Sequence, residues 1–283
     1  MSTNLADYLQ IWGLEGDNII FTDGSFGLGF ELSPVDSSSW STELANEYAD
    51  KLAQFLNGLP SEVDIQFIQD IKAGNQRLID QHLASDSSEN QVVRELTLAR
   101  TQKFQKLDDE GLLPHHGLML FVRRKPTGSL LKKASLFART KSFEAIAEQK
   151  LKQELTLSER LAHDLEAGLK ILGLMPKRLS SEKILNLLYR QWNPCRRIEL
   201  GDVDPDHLRS SLLFTDVDID NSGFSMGDYH YRVVSLKLLP DQTYAAMANK
   251  LRELSFDTRL FLTVHVPDQQ SELEALQTQR RIA

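Results

Sequence analysis

Cysteine is nearly absent from this sequence of 283 residues, and the absence limits what kind of protein it can be. The single cysteine, Cys195, has no partner within the chain, which excludes a disulfide-stabilised fold and favours a reducing, cytosolic compartment. No Cys/His cluster has zinc-ligand spacing, and no stretch approaches the roughly 18 apolar residues of a transmembrane helix. Residues 1–7 also lack the basic and apolar regions of a secretion signal. These absences argue against a zinc-stabilised, membrane-spanning or exported protein.

The charge and length are those of an ordinary soluble globular protein. The chain has 32 Lys and Arg against 40 Asp and Glu, a net charge of -8 and 41% hydrophobic residues. At roughly 150 residues per domain, the length fits one large domain or two small ones with a true hydrophobic core. Because the chain as a whole is acidic, nucleic acid is not an expected ligand.

Hydrophobic periodicity predicts a hairpin, a helix and a strand, in that order, near the start of the chain. The hairpin has two β-type runs separated by an Asp-Gly-Ser-Phe-Gly turn, and the helix is ended by Gly58 and Pro60. A polar, helix-prone stretch and another short apolar strand follow. These predicted elements are the hairpin at 18–32, the helix at 42–57, the strand at 63–71, the helix-prone stretch at 76–107 with an interruption near 85–88, and the strand at 117–122.

The middle of the chain is helical, and the last third repeats the order of the first. A leucine-rich stripe over 143–172 fits one long helix, or two abutting helices divided by the capping-box pattern Thr-Leu-Ser-Glu at 156–159. Another predicted helix at 181–191 ends before Asn193. The repeat consists of a second hairpin with strands at 212–220 and 229–239 around a turn at 221–227, a helix at 243–254 and a strand at 259–266.

This order of elements predicts an α+β fold, in which antiparallel hairpins carry helices over one face. Two hairpin-helix-strand units with antiparallel sheet flank a helical middle segment. Residues 1–283 are expected to form one domain, with sub-halves at 1–125 and 195–283 around a helical insert at 126–194. The pattern allows the two halves to be related and to share a sheet.

Three short motifs invite a ligand-binding interpretation, and their context argues against each. The glycine run at 24–29 leads into a strand rather than a helix, and no Gly-Lys pair occurs in the chain, so a phosphate-binding loop is not expected. Residues 218–223 match the first half of an EF-hand loop, but the twelfth position is Tyr229 instead of Glu. His115 and His116 lack a third ligand and are expected in an exposed loop. No cofactor or metal site is therefore predicted in this sequence.

A fourth motif suggests an enzyme. Residues 223–227 read Gly-Phe-Ser-Met-Gly, which matches the nucleophile elbow of serine hydrolases around Ser225. An Asp at 241 or 257, followed by His265, would supply the other members of a triad. The elbow needs a helix directly after it, whereas the residues after Gly227 are β-branched and aromatic. We therefore expect no catalytic residues, and a serine hydrolase using Ser225 is the alternative.

Basic residues are segregated into one stretch. Residues 123–141 contain seven cations and no acid, which leaves 25 bases against 40 acids in the rest of the chain. Interleaved leucines and a phenylalanine make this stretch a candidate amphipathic segment that binds anionic lipid or an acidic partner. A solvated linker between a strand and a helix is the alternative. The candidate binding residues are Arg123, Arg124, Lys125, Lys132, Lys133, Arg139 and Lys141.

Several segments spread over nearly the whole chain share an order and a spacing that point to one family. They are DGSFGLGFEL at 23–32, FLNGLP at 55–60 leading into DIQF at 64–67, LLYRQWNP at 187–194, YRVVSLKLLP at 231–240 and LFLTVHVPD at 260–268. Each is a hairpin or strand-end sequence, and none is catalytic. Together they resemble the N-terminal region of the TraC-like conjugative-transfer ATPases of bacterial type IV secretion systems.

The resemblance implies a docking role rather than a reaction. In such proteins an N-terminal α/β domain docks onto the inner-membrane secretion apparatus and precedes a RecA-like motor. That motor forms hexamers and drives pilus assembly and the transfer of DNA or protein. This sequence has no Walker A motif and stops in a helix-like pattern at 271–283, so we expect it to be cut from a longer protein. ATP and Mg²⁺ are then expected in the motor, and none of the family's ATP-binding residues carries over to a position here.

The expected function is therefore that of a non-catalytic docking and assembly domain of a type IV secretion ATPase. It is expected in the cytoplasm, peripherally associated with the bacterial inner membrane. Its expected partners are inner-membrane secretion-complex proteins and, through the basic stretch, an anionic membrane surface, and the full-length parent is expected to be hexameric. A stand-alone adaptor without a motor is the alternative.

Overall fold

The computed structural model describes most of the chain between residues 5 and 282. The described residues are 5–37, 39–72, 74–85, 88–110, 112–113, 115–126, 148–196, 200–201, 203–204, 207–235, 254 and 256–282. Three predicted secondary-structure elements fall outside them in whole or in part. These are the helix at 243–254 except for residue 254, the helix start at 143–147 and the strand end at 236–239.

The described residues begin with a short 3-10 helix at Leu5–Tyr8, and ten strands and seven helices follow it among them. The strands are β1 (Ile11–Glu15), β2 (Asn18–Phe21), β3 (Phe26–Leu32), β4 (Val63–Lys72), β5 (His115–Arg124), β6 (Lys177–Arg178), β7 (Val217–Ile219), β8 (Phe224–Met226), β9 (Tyr229–Tyr231) and β10 (Thr258–Val266). The helices are α1 (Thr42–Asn57), α2 (Gln76–Ala84), α3 (Gln91–Asp109), α4 (Glu148–Ile171), α5 (Ser181–Trp192), α6 (Leu208–Ser211) and α7 (Gln269–Ile282).

The main sheet is antiparallel throughout its described strands. Its order is β1-β2-β3-β5-β4-β10, and β6 also pairs with β3. β5 lies between β3 and β4, so these two strands run in the same direction and α1 connects them as a crossover. β10 pairs with the other side of β4, from Thr258 opposite Ile71 to Val266 opposite Val63. The predicted α+β class is confirmed, and β10 of the second half extends the sheet built by the first half.

Helices cover both faces of the main sheet. On one face, apolar side chains of β3, β4 and β5 pack against α4 and α1. On the other face, near β1 and β2, the sheet packs against α5 and α6. The first cluster includes Leu28, Phe30, Val63, Ile65, Leu120, Val122, Leu161, Leu165 and Leu169 with Leu52 and Phe55 of α1, and the second includes Ile11, Ile19, Ile184, Leu185, Tyr189, Leu208 and Leu212. Full burial of one such side chain stabilises the fold by about 1.5–3 kcal/mol.

The helix boundaries follow from capping residues. The Ser41 hydroxyl oxygen accepts a hydrogen bond from the backbone N–H of Leu44 at 3.3 Å, which caps α1. Ser180 caps α5 in the same way. The predicted helix at 42–57 is confirmed, α5 extends one residue past its predicted end, and the predicted interruption near 85–88 separates α2 from α3.

α4 is one continuous helix, so the capping-box pattern at 156–159 does not divide it. The Thr156 hydroxyl donates a hydrogen bond to the backbone carbonyl of Lys152 at 2.8 Å, within the helix. The Ser158 hydroxyl donates to the side-chain oxygen of Asn18 at 2.7 Å. Both hydroxyls are thus engaged elsewhere and do not cap a helix start, and the single-helix alternative is confirmed for the described part.

The second hairpin differs from its prediction. β7, β8 and β9 form a separate three-stranded antiparallel sheet, and β8 lies inside the predicted turn at 221–227. The turn is shorter because Oδ1 of Asp220 accepts hydrogen bonds from the backbone N–H groups of Ser222 at 2.6 Å and Gly223 at 2.9 Å. The chain can therefore reverse at 220–223 and again after Met226. Only 229–231 of the predicted strand at 229–239 is a strand among the described residues.

Two further features of the main sheet were not predicted. β1 is a short strand that pairs with β2, although Gly13 interrupts its apolar pattern. The expected exposed loop at His115 and His116 is wrong, because these residues begin β5 and pair with Lys72 and Ile71. The strand is longer than its apolar run because β4 continues to Lys72 and supplies a pairing partner.

Candidate docking site

The basic stretch begins at the end of β5, where strand geometry turns successive side chains to opposite faces of the sheet. Arg123 lies on the same face as Gly27 of β3, and its guanidinium is bound by the turn between β2 and β3. One of its terminal nitrogens contacts Oδ2 of Asp23 at 2.7 Å, and Nε donates to the hydroxyl of Ser25 at 2.8 Å. The same guanidinium lies over the Phe21 ring, 4.6 Å from its centroid.

The turn that binds Arg123 is held by its own hydrogen bonds. Oδ1 of Asp23 accepts from the hydroxyl of Ser25 at 2.6 Å and from its backbone N–H at 3.0 Å. Partial burial by itself raises the pKa of Asp23, but the hydrogen bonds from Ser25 and the charge of Arg123 outweigh it, so the pKa lies below its ordinary value. The carboxylate is thus kept ionised as a counter-ion for Arg123.

Arg124 points the other way, into the interior under α4. Its side chain is 10% exposed and forms an ion pair with the side chain of Glu154 of α4, which is 4% exposed. The same guanidinium donates to the backbone carbonyl of Glu154 at 3.1 Å. This pair links the first residues of the basic stretch to the helix that follows it. Arg124 is therefore a structural residue and is not available to a partner at the surface.

Lys125 lies at the surface beside the start of β4. Its Nζ lies 3.3 Å from Oε2 of Glu62, and both side chains are about half exposed. The backbone N–H of Lys125 also donates to the carbonyl of Glu62 at 3.1 Å. Lys125 can still contact a partner because exposed ion pairs of this kind contribute little free energy and exchange readily with solvent.

The other four candidate residues lie outside the described part of the chain: Lys132, Lys133, Arg139 and Lys141. The structure therefore brings three of the seven cations to one end of β5 and pairs each with an acid from another element. Those acids, Asp23, Glu62 and Glu154, were missed by the sequence analysis because nothing in the sequence links them to β5. The sequence does indicate that Arg124 points inward, because Arg124 continues the alternation of the buried residues Leu120 and Val122 along β5.

The glycine run after Asp23 has a packing role in the structure. It forms the predicted hairpin, with β2 and β3 paired at Ile19 and Gly27. A Cβ added at Gly27 would lie 2.7 Å from the Phe21 ring, and one at Gly29 would lie 2.9 Å from both Leu179 and the Phe121 ring. These glycines let the rings approach the strand closely, and the predicted hairpin is confirmed.

Ser225 does not lie in a nucleophile elbow. It is the central residue of β8 and is followed by a turn and β9, whereas the elbow needs a helix. Its hydroxyl lies 3.1 Å from Nδ1 of His230 on the neighbouring strand, and the other ring nitrogen lies 3.5 Å from the hydroxyl of Ser222. His265, which the hydrolase alternative would need as a triad member, is hydrogen-bonded to Asp64 across β10 and β4.

The half EF-hand at 218–223 is a hairpin turn closed by Asp220, whose pKa is lowered by hydrogen bonds from Ser222 and Gly223. Among the described residues, no group of three or more His, Cys, Asp or Glu side chains is placed to hold a metal ion. No helix in that part of the chain combines the length and hydrophobicity needed to cross a bilayer.

Comparison with known proteins gives one family. The family model TraC_F_IV, described as "TraC protein", matches residues 15–282. No curated protein matches the chain significantly. The match covers the main sheet from β2 to β10, the small sheet and all seven helices of the described residues. The chain therefore belongs to the TraC family, whose members are proteins of type IV secretion and conjugation.

Proposed function

We propose that this chain is a non-catalytic docking and assembly domain of the type IV secretion complex, bound peripherally to the cytoplasmic side of the bacterial inner membrane. The observation that carries the proposal is the family match over residues 15–282, since it puts nearly the whole chain in a secretion-complex protein. In this proposal the domain contacts inner-membrane components of the complex and positions a full-length, hexameric ATPase for pilus assembly and DNA or protein transfer.

The basic stretch is the proposed contact surface. Its first three cations are compensated by acids of the fold, so the attraction for a partner comes chiefly from Lys132, Lys133, Arg139 and Lys141. These four residues lie between the end of β5 and the start of α4, two elements that the Arg124–Glu154 pair ties together.

Anionic lipid is the partner that this charge pattern fits best. Each Lys or Arg near a negatively charged membrane contributes about 1 kcal/mol, and the attraction weakens with salt because the Debye length is only about 8 Å at physiological ionic strength. Four cations would give several kcal/mol, which is enough for reversible binding when a membrane protein partner adds further contacts. The interleaved Leu130, Leu131, Leu136 and Phe137 can insert at the headgroup boundary.

The test is a double charge reversal, Lys132→Glu with Lys133→Glu. Vesicles containing phosphatidylglycerol should float the wild-type protein at low salt and release it as salt rises. The double variant should lose most of this binding and should reduce conjugative transfer when it replaces the wild type in cells. The readouts are vesicle flotation and mating frequency.

A second double reversal, Lys103→Glu with Lys106→Glu, is the matched control. Both lysines lie on exposed positions of α3, and the change in net charge is the same as in the test variant. This control should bind vesicles and support transfer like the wild type. The docking assignment is wrong if the Lys132 and Lys133 reversal leaves both readouts unchanged, or if the control lowers them equally.

No catalysis is assigned to residues 1–283 in this proposal, and ATP and Mg²⁺ are assigned to the motor of a full-length parent. Ser225, inside a strand, is the site at which the competing hydrolase function would be seen. A fluorophosphonate probe should leave Ser225 unlabelled, and the purified chain should not hydrolyse ATP. Labelling that disappears in Ser225→Ala would instead establish the hydrolase.

A further inference from the structure

The outer edge of β10 is a long strand edge with no strand beside it in the described part of the chain. β10 pairs with β4 over nine consecutive residue pairs without a register shift, and it is the last strand in the order of the main sheet. A strand at this position presents a row of backbone N–H and C=O groups that can pair with another strand.

The opposite edge of the sheet is built differently. β1 has only five residues, and its register shifts between Ile11 and Gly13. Short length and irregular pairing are common protections against edge-to-edge association. β10 has neither protection, and its sequence, TRLFLTVHV, also contains no Pro or Lys.

The two ionisable side chains of β10 do not repel an approaching strand. Nε of Arg259 lies 3.1 Å from Oδ1 of Asp70, and His265 is hydrogen-bonded to Asp64, so both face acids of β4. Between them, Phe261 is 55% exposed and Leu262 is 62% exposed. Since neighbouring residues point to opposite faces, an apolar side chain is uncovered on each side of the sheet.

We propose that β10 of a second copy of this chain pairs with this edge in antiparallel orientation, about a twofold axis at Leu262, and joins the two main sheets. The argument is that β10 is complementary to itself. The two ionisable side chains on this edge, Arg259 and His265, already have partners on β4, so an approaching strand does not need to carry matching charges. A second β10 meets this condition, because its other residues are uncharged.

The proposed register gives each uncovered side chain a suitable neighbour. With the axis at Leu262, the two copies of this leucine meet on one face, and Leu260 lies opposite Val264 of the partner subunit. On the other face, Phe261 lies opposite Thr263 of the partner subunit. Aromatic and β-branched cross-strand pairs of this kind are favourable in antiparallel sheets, and the contact is isologous as a twofold dimer requires.

The first test measures association of the whole chain by sedimentation velocity over a wide range of protein concentration. The wild type should show a reversible monomer–dimer equilibrium. Leu262→Lys places two like charges together at the proposed axis and should raise the dimer dissociation constant at least about tenfold, since lysine on an edge strand discourages pairing with another chain. Leu96→Lys is the control, because Leu96 on α3 is 63% exposed and should leave the equilibrium unchanged.

A second test does not depend on how well the lysine variant folds. In a Cys195→Ser background, Leu262→Cys should form an intermolecular disulfide under mild oxidation, because directly opposed residues of paired strands lie within disulfide range. Leu96→Cys should not. The proposal is overturned if the wild type stays monomeric at all concentrations. That result also overturns it if the β10 amides prove to be protected from hydrogen exchange, because another part of the same chain would then cover the edge. It is also overturned if both cysteine variants crosslink equally.

Discussion

Replacing Arg124 with Met should destabilise the protein far more than replacing its sequence neighbour Lys125 with Met. Both changes remove one cation from the same stretch and leave a side chain of similar length. They differ in burial, because the Arg124 and Glu154 side chains are 10% and 4% exposed whereas the Lys125 and Glu62 side chains are 45% and 50% exposed. The comparison therefore isolates the effect of burial on an ion pair.

The expected magnitudes follow from what each change leaves behind. Arg124→Met removes the guanidinium that pairs with the buried Glu154 carboxylate, and breaking a buried ion pair in this way costs about 3–5 kcal/mol. Lys125→Met leaves Glu62 in water and should cost no more than about 1 kcal/mol. Because a domain is stable by only about 5–15 kcal/mol, the first change removes a large share of the total.

The double variant Arg124→Met with Glu154→Leu completes the comparison. It removes both charges, so no buried ion is left uncompensated, and apolar replacements of a buried pair are often neutral or stabilising. Its stability should return close to that of the wild type. Urea unfolding followed by tryptophan fluorescence gives the free energy of unfolding of the wild type and of the three variants. Equal dependence of that free energy on urea concentration shows that all four proteins unfold in the same way. Equal losses for Arg124→Met and Lys125→Met, or a double variant that is no more stable than Arg124→Met, would refute the buried-pair interpretation.

Two other changes in stability follow from the structure. Because the pKa of Asp23 is lowered in the folded protein, its contribution to stability is complete above its ordinary pKa of 3.8 and is lost as the pH falls below that value. Unfolding of Asp23→Asn should therefore depend less on acid than unfolding of the wild type, and parallel pH profiles would contradict this. Gly223→Ala should open the pairing of β8 with β9, since the new Cβ would lie 1.9 Å from the carbonyl oxygen of Tyr231. Amide exchange at 229–231 should rise in this variant but not in Gly201→Ala, where the added carbon meets no atom within 4 Å, and equal exchange would refute it.

The main sheet was largely predictable because its pattern is local. The turn at Asp23, the cap at Ser41 and the alternation through Val63 and Ile65 each act within a few residues, and each produced the expected element. β1 was not predictable in this way, because Gly13 interrupts the apolar pattern of residues 11–15 and the strand forms through its pairing with β2. The order of strands was also beyond the sequence, because pairing between β4 and β10 depends on contacts nearly two hundred residues apart.

The candidate site was predictable as a concentration of charge but not as an arrangement of side chains. The count of cations is a property of the sequence alone. Whether a cation faces a partner depends on an acid supplied by another element, as with Glu154 of α4 for Arg124. Strand alternation indicates which way Arg124 points, but only the folded chain shows that Glu154 lies within ion-pair distance of it.

The distance in sequence between β4 and β10 also has a consequence during synthesis. After Lys72 is added to the growing chain, 194 further residues must be added before Val266 completes β10. At bacterial rates of about 5–20 residues per second, the outer side of β4 waits about 10–40 s for its partner strand. During that time Asp64 lacks its hydrogen bond to His265, and Asp70 lacks its ion pair with Arg259. Their negative charges should keep nascent chains on neighbouring ribosomes from pairing at this edge, and the arrival of β10 ends both the exposure and the repulsion.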